Sequence, residues 1–209
     1  MKQPTNKSNT NRTPGRPKRS EIDLPMDQMI LQIASNLFME YGYEAISLQQ
    51  IAKACGVTKA SIYYHFESKA QLFTASVTAM TGMARKHTKI IMEQEAPLLN
   101  RLRQLAETKL AKSHGDFETI MREARPSLSP EQVQAIMSSE EAINDILIAS
   151  FQQAMDLGEI RNADTLFLAH TFYSLLMVGN RQIHADYNLS SAHLAHQIID
   201  LFWHGIAPE

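Results

Sequence analysis

The chain has 209 residues, 44% of them hydrophobic and 20% charged, with a formal net charge of −2. That composition suits one or two domains with a real buried core. The single cysteine excludes an intrachain disulfide and fits a reducing compartment. No apolar segment of signal-peptide type opens the chain, and the longest apolar run, Thr165 to Val178, is interrupted by His170 and Ser174. Neither export nor a bilayer span is expected, and the expected location is cytoplasmic.

Residues 1–20 carry Lys2, Lys7, Arg12, Arg16, Lys18 and Arg19, no acid and almost no apolar side chain. This is the composition of a disordered basic arm, taken here as residues 1–22. Within it, Gly15-Arg16-Pro17-Lys18-Arg19 resembles the Gly-Arg-Pro core of AT-hook peptides. A narrow A·T-rich minor groove concentrates negative potential and would attract Arg16; the alternative is a soluble tail held only by phosphate attraction. Residues 93–164 lean acidic, so a basic end is joined to a mildly acidic body, as expected of a DNA-contacting surface on a domain that does not touch DNA.

Ile30, Ile33, Ala34, Leu37, Phe38 and Tyr41 form one helical stripe closed by Gly42. The next signal is a start: Ser47 with Gln50 three residues on is a capping box, followed by Leu48, Ile51, Ala52 and Cys55 at helical spacing. Gly56 allows a sharp bend. Thr58 is the natural cap of another helix, anchored by Ile62 and Phe66 and leaving Thr58, Lys59, Ala60, Ser61, Tyr64 and His65 outward. Two short helices across a tight turn, with a polar face at the start of the second, is the helix-turn-helix pattern, whose second helix reads the major groove. A helical hairpin within an all-α core would have the same periodicity.

Ser47 to Phe73 resembles the DNA-binding segment of the TetR/AcrR family of bacterial regulators, through Ile51-Ala52, Gly56-Val57, the Tyr-x-His-Phe run at Tyr63 to Phe66, Ser68-Lys69 and Leu72-Phe73. The resemblance covers about residues 26–75; beyond it only length and helical layout agree. It implies a DNA-binding domain over residues 23–72 and a helical ligand-binding and dimerisation domain over 73–209, about nine helices in total. On this basis Lys59, Ala60 and Ser61 are the expected base-edge contacts, with Gln49 a further candidate. Ser47, Thr58, Tyr64, His65 and Lys69 are expected to hold phosphates, and Tyr63 to be part core and part DNA surface.

Ser68 and Gln71 suggest a second capping box opening a long helix toward Ile91, with Leu72, Ala75, Val77, Ala79, Met80 and Met83 as its apolar positions. Pro97 punctuates the chain before a helix over 98–113, and Gly115 before a short one near Phe117 to Glu123. Ser129-Pro130-Glu131-Gln132 combines a cap, a first-turn proline and a returning glutamine, predicting a helix to Leu157 that ends at Gly158. Asp164 to Asp186 and Ser191 to Gly205 read as two more. No stretch alternates as a strand would, so the expected class is all-α.

The last two helices carry Leu166, Leu168, Ala169, Phe172, Leu175, Leu176, Gly179 and Ile183, then Leu194, Ile198, Leu201 and Phe202. The resemblance implies that they pack against a second subunit, although ordinary core remains an alternative. Candidates for a small apolar or amphipathic inducer are Met80, Met83, His87, Phe117, Met121, Phe151, Met155, Phe167, His170 and Tyr173, with core packing the blander reading of each. His193, His196, Asp200 and His204 share a face but lie opposite the apolar stripe, which favours a solvated margin over a metal site. Cys55 falls on a buried face, where thiols are inert. Phosphate loops, nucleophile elbows and zinc-protease motifs are absent from the sequence, so neither catalysis nor a cofactor is expected. The expectation is a homodimeric regulator, most simply a repressor released from a palindromic double-stranded operator by an inducer. The alternatives are a DNA-organising or partner-binding protein of the same fold that senses no ligand and, more remotely, a small enzyme with a borrowed motif.

Overall fold

A computed structural model describes residues 24–111, 117–180 and 190–208. The basic arm with Arg16, the break at Gly115 and the extension from 181 to Asp186, with Ile183, lie outside the described residues. Nine α-helices and no strand occur among the described residues: α1 (Met26–Tyr41), α2 (Leu48–Cys55), α3 (Lys59–His65), α4 (Lys69–Met92), α5 (Leu98–Leu110), α6 (Phe117–Ala124), α7 (Pro130–Asp156), α8 (Thr165–Asn180) and α9 (Ser191–Ile206). The all-α expectation holds.

The helix starts follow the capping chemistry of the sequence. Ser47 Oγ accepts from the Gln50 amide at 3.3 Å while Gln50 Oε1 accepts from the Ser47 amide at 2.8 Å. Ser129 and Gln132 make the same reciprocal pair at 3.2 and 2.9 Å, with Pro130 in the first turn of α7. At α4 the expected box is altered. Ser68 Oγ accepts from the Gln71 amide at 3.1 Å, but the Gln71 side chain reaches past Ser68 to the Glu67 amide.

Two hydrophobic cores result. The N-terminal one gathers Ile30, Ala34 and Phe38 of α1, Ile51 and Ala52 of α2, Ile62 of α3 and Leu72, Phe73 and Val77 of α4. Its aromatic centre is Phe38, Tyr43 and Phe73, with Phe73 edge-on to Phe38 at 5.1 Å and to Tyr43 at 5.0 Å; such geometry adds about 0.5–1.5 kcal/mol per pair beyond simple burial. Ile120 and Ala124 of α6 and Ile136 of α7 join this same core. The C-terminal core is built from α5, α7, α8 and α9 around Phe151, Phe172 and Phe202, and takes in Ile91 and Met92 from the far end of α4. Helix α4 therefore serves both.

Several positions expected to be apolar and inward are exposed instead, Met83, Leu166, Tyr41 and Leu201 among them. Tyr41 is 55% exposed. It is the last residue of α1 and stays at the surface beside Glu40, while Tyr43, beyond the turn, enters the core. Leu201 is 68% exposed. It lies seven residues after Leu194, which already sits at the edge of the buried arc, and a straight helix drifts about 20° per heptad.

Candidate nucleic-acid interface

The turn into α3 depends on Gly56, whose φ of 65° is the left-handed conformation that caps α2. The Val57 amide returns to the Ala52 carbonyl at 3.0 Å and completes the cap. Two residues on, Thr58 Oγ1 accepts from the Ser61 amide at 3.1 Å and pairs with Ser61 Oγ at 2.9 Å. Ile62 is fully buried and Phe66 nearly so, which fixes the rotation of α3 on its core.

That rotation leaves Thr58, Lys59, Ala60, Tyr64 and His65 exposed and Ser61 half-buried. Tyr64 is 86% exposed, an aromatic with no core role. Tyr63 is half-exposed and carries the Lys59 ammonium 5.6 Å from its ring centroid, so one side chain packs the other at the start of the helix. Tyr64 and His65 meet edge-on at 5.1 Å. Ser47 and Gln49 are exposed at the start of α2. The result is a convex, lysine- and hydroxyl-bearing surface around the first turns of two helices, a shape and chemistry suited to phosphates and base edges.

Lys69 differs from the other candidates. It lies half-buried on the Tyr43 ring at 4.3 Å and donates to the Glu44 carbonyl at 3.5 Å. Desolvation lowers its ammonium pKa, offset in part by the Glu44 and Glu123 carboxylates. These neighbours were not legible from the motif, because Glu123 belongs to α6.

The inducer candidates do not converge. Met83 and His87 face outward on α4, while Phe117 and Met121 pack beside Met80 on the N-terminal core. Phe151 is fully buried in the aromatic centre of the C-terminal core, with Met155 beside it. Phe167, 67% exposed, and His170 point outward from α8. Tyr173 lies deeper, its hydroxyl pushed up to about 12 by burial and by the Glu140 carboxylate.

A cleft of about 660 Å³ lies elsewhere, between the end of α4 and α7, with Arg85, Lys89, Arg101, Asp145 and Glu159 on its walls, and none of those candidates lines it. Arg101, 5% exposed, donates to the Met92 carbonyl at 2.7 Å and faces Glu159 at 3.9 Å; Glu159 in turn accepts from the Leu98 amide at 2.6 Å. This knot joins the end of α4, the start of α5 and the chain after α7. A charged residue inside the Leu98–Leu102–Leu105 stripe was its only sequence signal.

His193, His196, Asp200 and His204 are exposed, and His204 Nδ1 lies 2.7 Å from the Asp200 carbonyl. Cys55 is half-buried, and burial pushes its thiol up, away from the reactive thiolate. Among the described residues no helix is long and apolar enough to cross a membrane.

A three-helix head with a capped, outward-facing second motif helix, joined through α4 to an all-α body, defines a helix-turn-helix protein. Residues 30–75 match the family described as bacterial regulatory proteins, tetR family. Residues 30–75 thus carry the DNA-binding domain of that family. The chain is 49% identical over 47 residues to the HTH-type transcriptional regulator AcrR of Shigella flexneri, a match covering 22% of each chain. It is 25% identical over 188 residues to the uncharacterized HTH-type transcriptional regulator YerO of Bacillus subtilis (strain 168), covering 83% of this chain and 63% of the relative. These matches thus span less than two thirds of either relative's length. The fold is that of Escherichia coli NemR in its reduced form (TM-score 0.74, 17% identity, covering 87% of this chain and 97% of that one). It is also that of AibR in complex with isovaleryl coenzyme A and operator DNA (TM-score 0.64, 24% identity, covering 84% and 97%).

Proposed function

We propose that the protein is a homodimeric transcriptional regulator, a repressor released from a palindromic operator by a small molecule. The observation that carries this is the exposed Lys59–Ala60 start of α3, seated by Ile62 and capped by Thr58. Lys59, Ala60 and Ser61 read base edges there, with Gln49 alongside, while Ser47, Thr58, Tyr64, His65 and Lys69 hold phosphates. Small Ala60 and Ser61 admit the helix close to the groove, where a thymine methyl is one apolar partner.

Dimerisation is supported by Leu166, Phe167 and Leu201, large apolar side chains turned outward on the last two helices. Two reading heads about 34–36 Å apart match one turn of DNA. Ligand response is supported by AibR, which shares the fold and was captured with both an acyl coenzyme A and its operator. A ligand shifts such a dimer only as far as its affinities for the two states differ. Arg16 is proposed to add a minor-groove contact; deleting residues 1–20 should flatten the salt dependence of binding, and an unchanged slope would dismiss the arm.

The test is to select duplexes from a randomised pool with the purified full chain and map the protected bases. Protection of an inverted repeat by two chains supports the proposal. Protection without sequence preference would instead favour a DNA-organising protein, and binding that no metabolite extract relieves would remove the inducer.

A further inference from the structure

We infer that Glu123, a residue of α6 remote from the recognition helix, is a positioning residue for DNA binding: its carboxylate holds the α1–α2 turn and through it the reading head. Glu123 Oε2 accepts from two successive backbone amides of that turn, Tyr43 at 3.1 Å and Glu44 at 3.4 Å. Charged acceptors make the stronger hydrogen bonds, and these two join residues eighty and seventy-nine positions apart in the chain.

The approach depends on Gly42. Its φ of 88° lies in the left-handed region, and a Cβ at that position would stand 2.9 Å from Glu123 Oε2. A side chain there would have to push the carboxylate off the two amides. Burial pushes the Tyr43 hydroxyl pKa up, and the Ser127 side chain just beyond α6 acts against that rise. Ile120 and Ala124, on either side of Glu123 in the same helix, are buried in the N-terminal core.

What hangs from this turn is the interface. Three residues beyond Glu44, Ser47 caps α2. The Tyr43 ring carries the Lys69 ammonium, and the Glu44 carbonyl accepts from it. Displacing the turn therefore moves both the start of α2 and a phosphate-holding lysine without touching DNA. The inference rests on the DNA-binding proposal.

The test compares wild type, Glu123→Ala and Glu123→Gln as full chains on a duplex selected by the wild type and on a scrambled duplex of equal length. Glu123→Ala should bind the selected duplex about three- to thirty-fold more weakly, one or two charge-assisted hydrogen bonds being lost, with little change on the scrambled one. Glu123→Gln keeps an acceptor oxygen and should recover most of that loss. Amide exchange in the free protein gives a readout independent of DNA: Tyr43 and Glu44 should exchange faster in Glu123→Ala, with Ile51 unchanged. Equal losses on both duplexes, wild-type binding by Glu123→Ala, tighter binding by both variants (a charge effect on Lys69 alone), or faster exchange throughout α1–α3 would each overturn the inference. If the wild type selects no duplex, the DNA-binding proposal fails, and the exchange experiment still decides whether Glu123 holds the turn.

Discussion

Replacing Lys59 by alanine separates base reading from phosphate holding more cleanly than any other change at the interface. Lys59 is exposed at the first turn of α3, and its ammonium lies 5.6 Å from the centroid of the half-exposed Tyr63 ring. Removing it forfeits an exposed cation–π contact of about 0.5 kcal/mol and gains a slightly better helix former, so the fold should shift by no more than about 0.5 kcal/mol. In the complex the same side chain is worth about 1–3 kcal/mol if it discriminates a base. At roughly 1.4 kcal/mol per factor of ten, that is about 5- to 150-fold in affinity for the selected duplex. Fluorescence anisotropy across a salt series, on selected and scrambled duplexes, measures both affinity and slope. Lys59→Ala should lose affinity for the selected duplex alone. Equal losses on both, with the salt slope reduced by about one, would make Lys59 a phosphate contact and refute its place among the readers.

Three further substitutions test the scaffold behind the site. Gly56→Ala puts a Cβ where no atom lies within 4 Å, so only backbone strain at φ 65° acts; a loss of roughly 1–2 kcal/mol in urea unfolding is expected, and an unchanged midpoint would contradict it. Arg101→Met strands the Met92 carbonyl and Glu159 near the cleft and should cost about 2–4 kcal/mol, whereas a neutral result would show that methionine packing compensates. For Tyr173 the folded pKa of about 12 exceeds its ordinary value of 10.0. The unfolded chain therefore releases this proton first, and stability falls as pH rises above 10, by at most about 1.4 kcal/mol per unit. Tyr173→Phe should lessen that loss; a gap between the two proteins that stays constant from about pH 9 to 11 would rule out the hydroxyl as its source.

The head was legible because its determinants are local. Ser47 with Gln50, Gly56, and Thr58 with Ser61 act over three or four residues, and periodicity alone placed Ile62 and Phe66 inward. Periodicity was less reliable where a helix ends or drifts, hence the outward Tyr41 and Leu201. It could not separate kinds of interior at all. Phe151 and Phe167 satisfied the same apolar criterion, yet one is sealed among aromatics and the other faces outward. Glu123 left no sequence trace, since nothing near it in the chain announces an acceptor for amides eighty residues away.

The division into a reading head and a body is therefore one of sequence signal more than of mechanics. Phe73 and Val77 sit in one core and Ile91 and Met92 in the other, on a single helix of 24 residues. Such a helix is about 36 Å long, and a tilt of about 5° about its middle moves either end by roughly 1.5 Å, the scale of helix shifts that carry switching between subunits. α4 is held against α7 by the Thr81–Ser139 hydrogen bond at 2.8 Å, close to where Ile136 enters the N-terminal core. A tilt of α4 would thus carry Lys69, while α6, through Glu123, restrains the turn on which that lysine packs. Whether the head follows the body depends on the balance between these two connections. Substitutions at Thr81, Ser139 or Glu123 should then tune how far a change in the body alters DNA affinity, while those in α3 change which DNA is read.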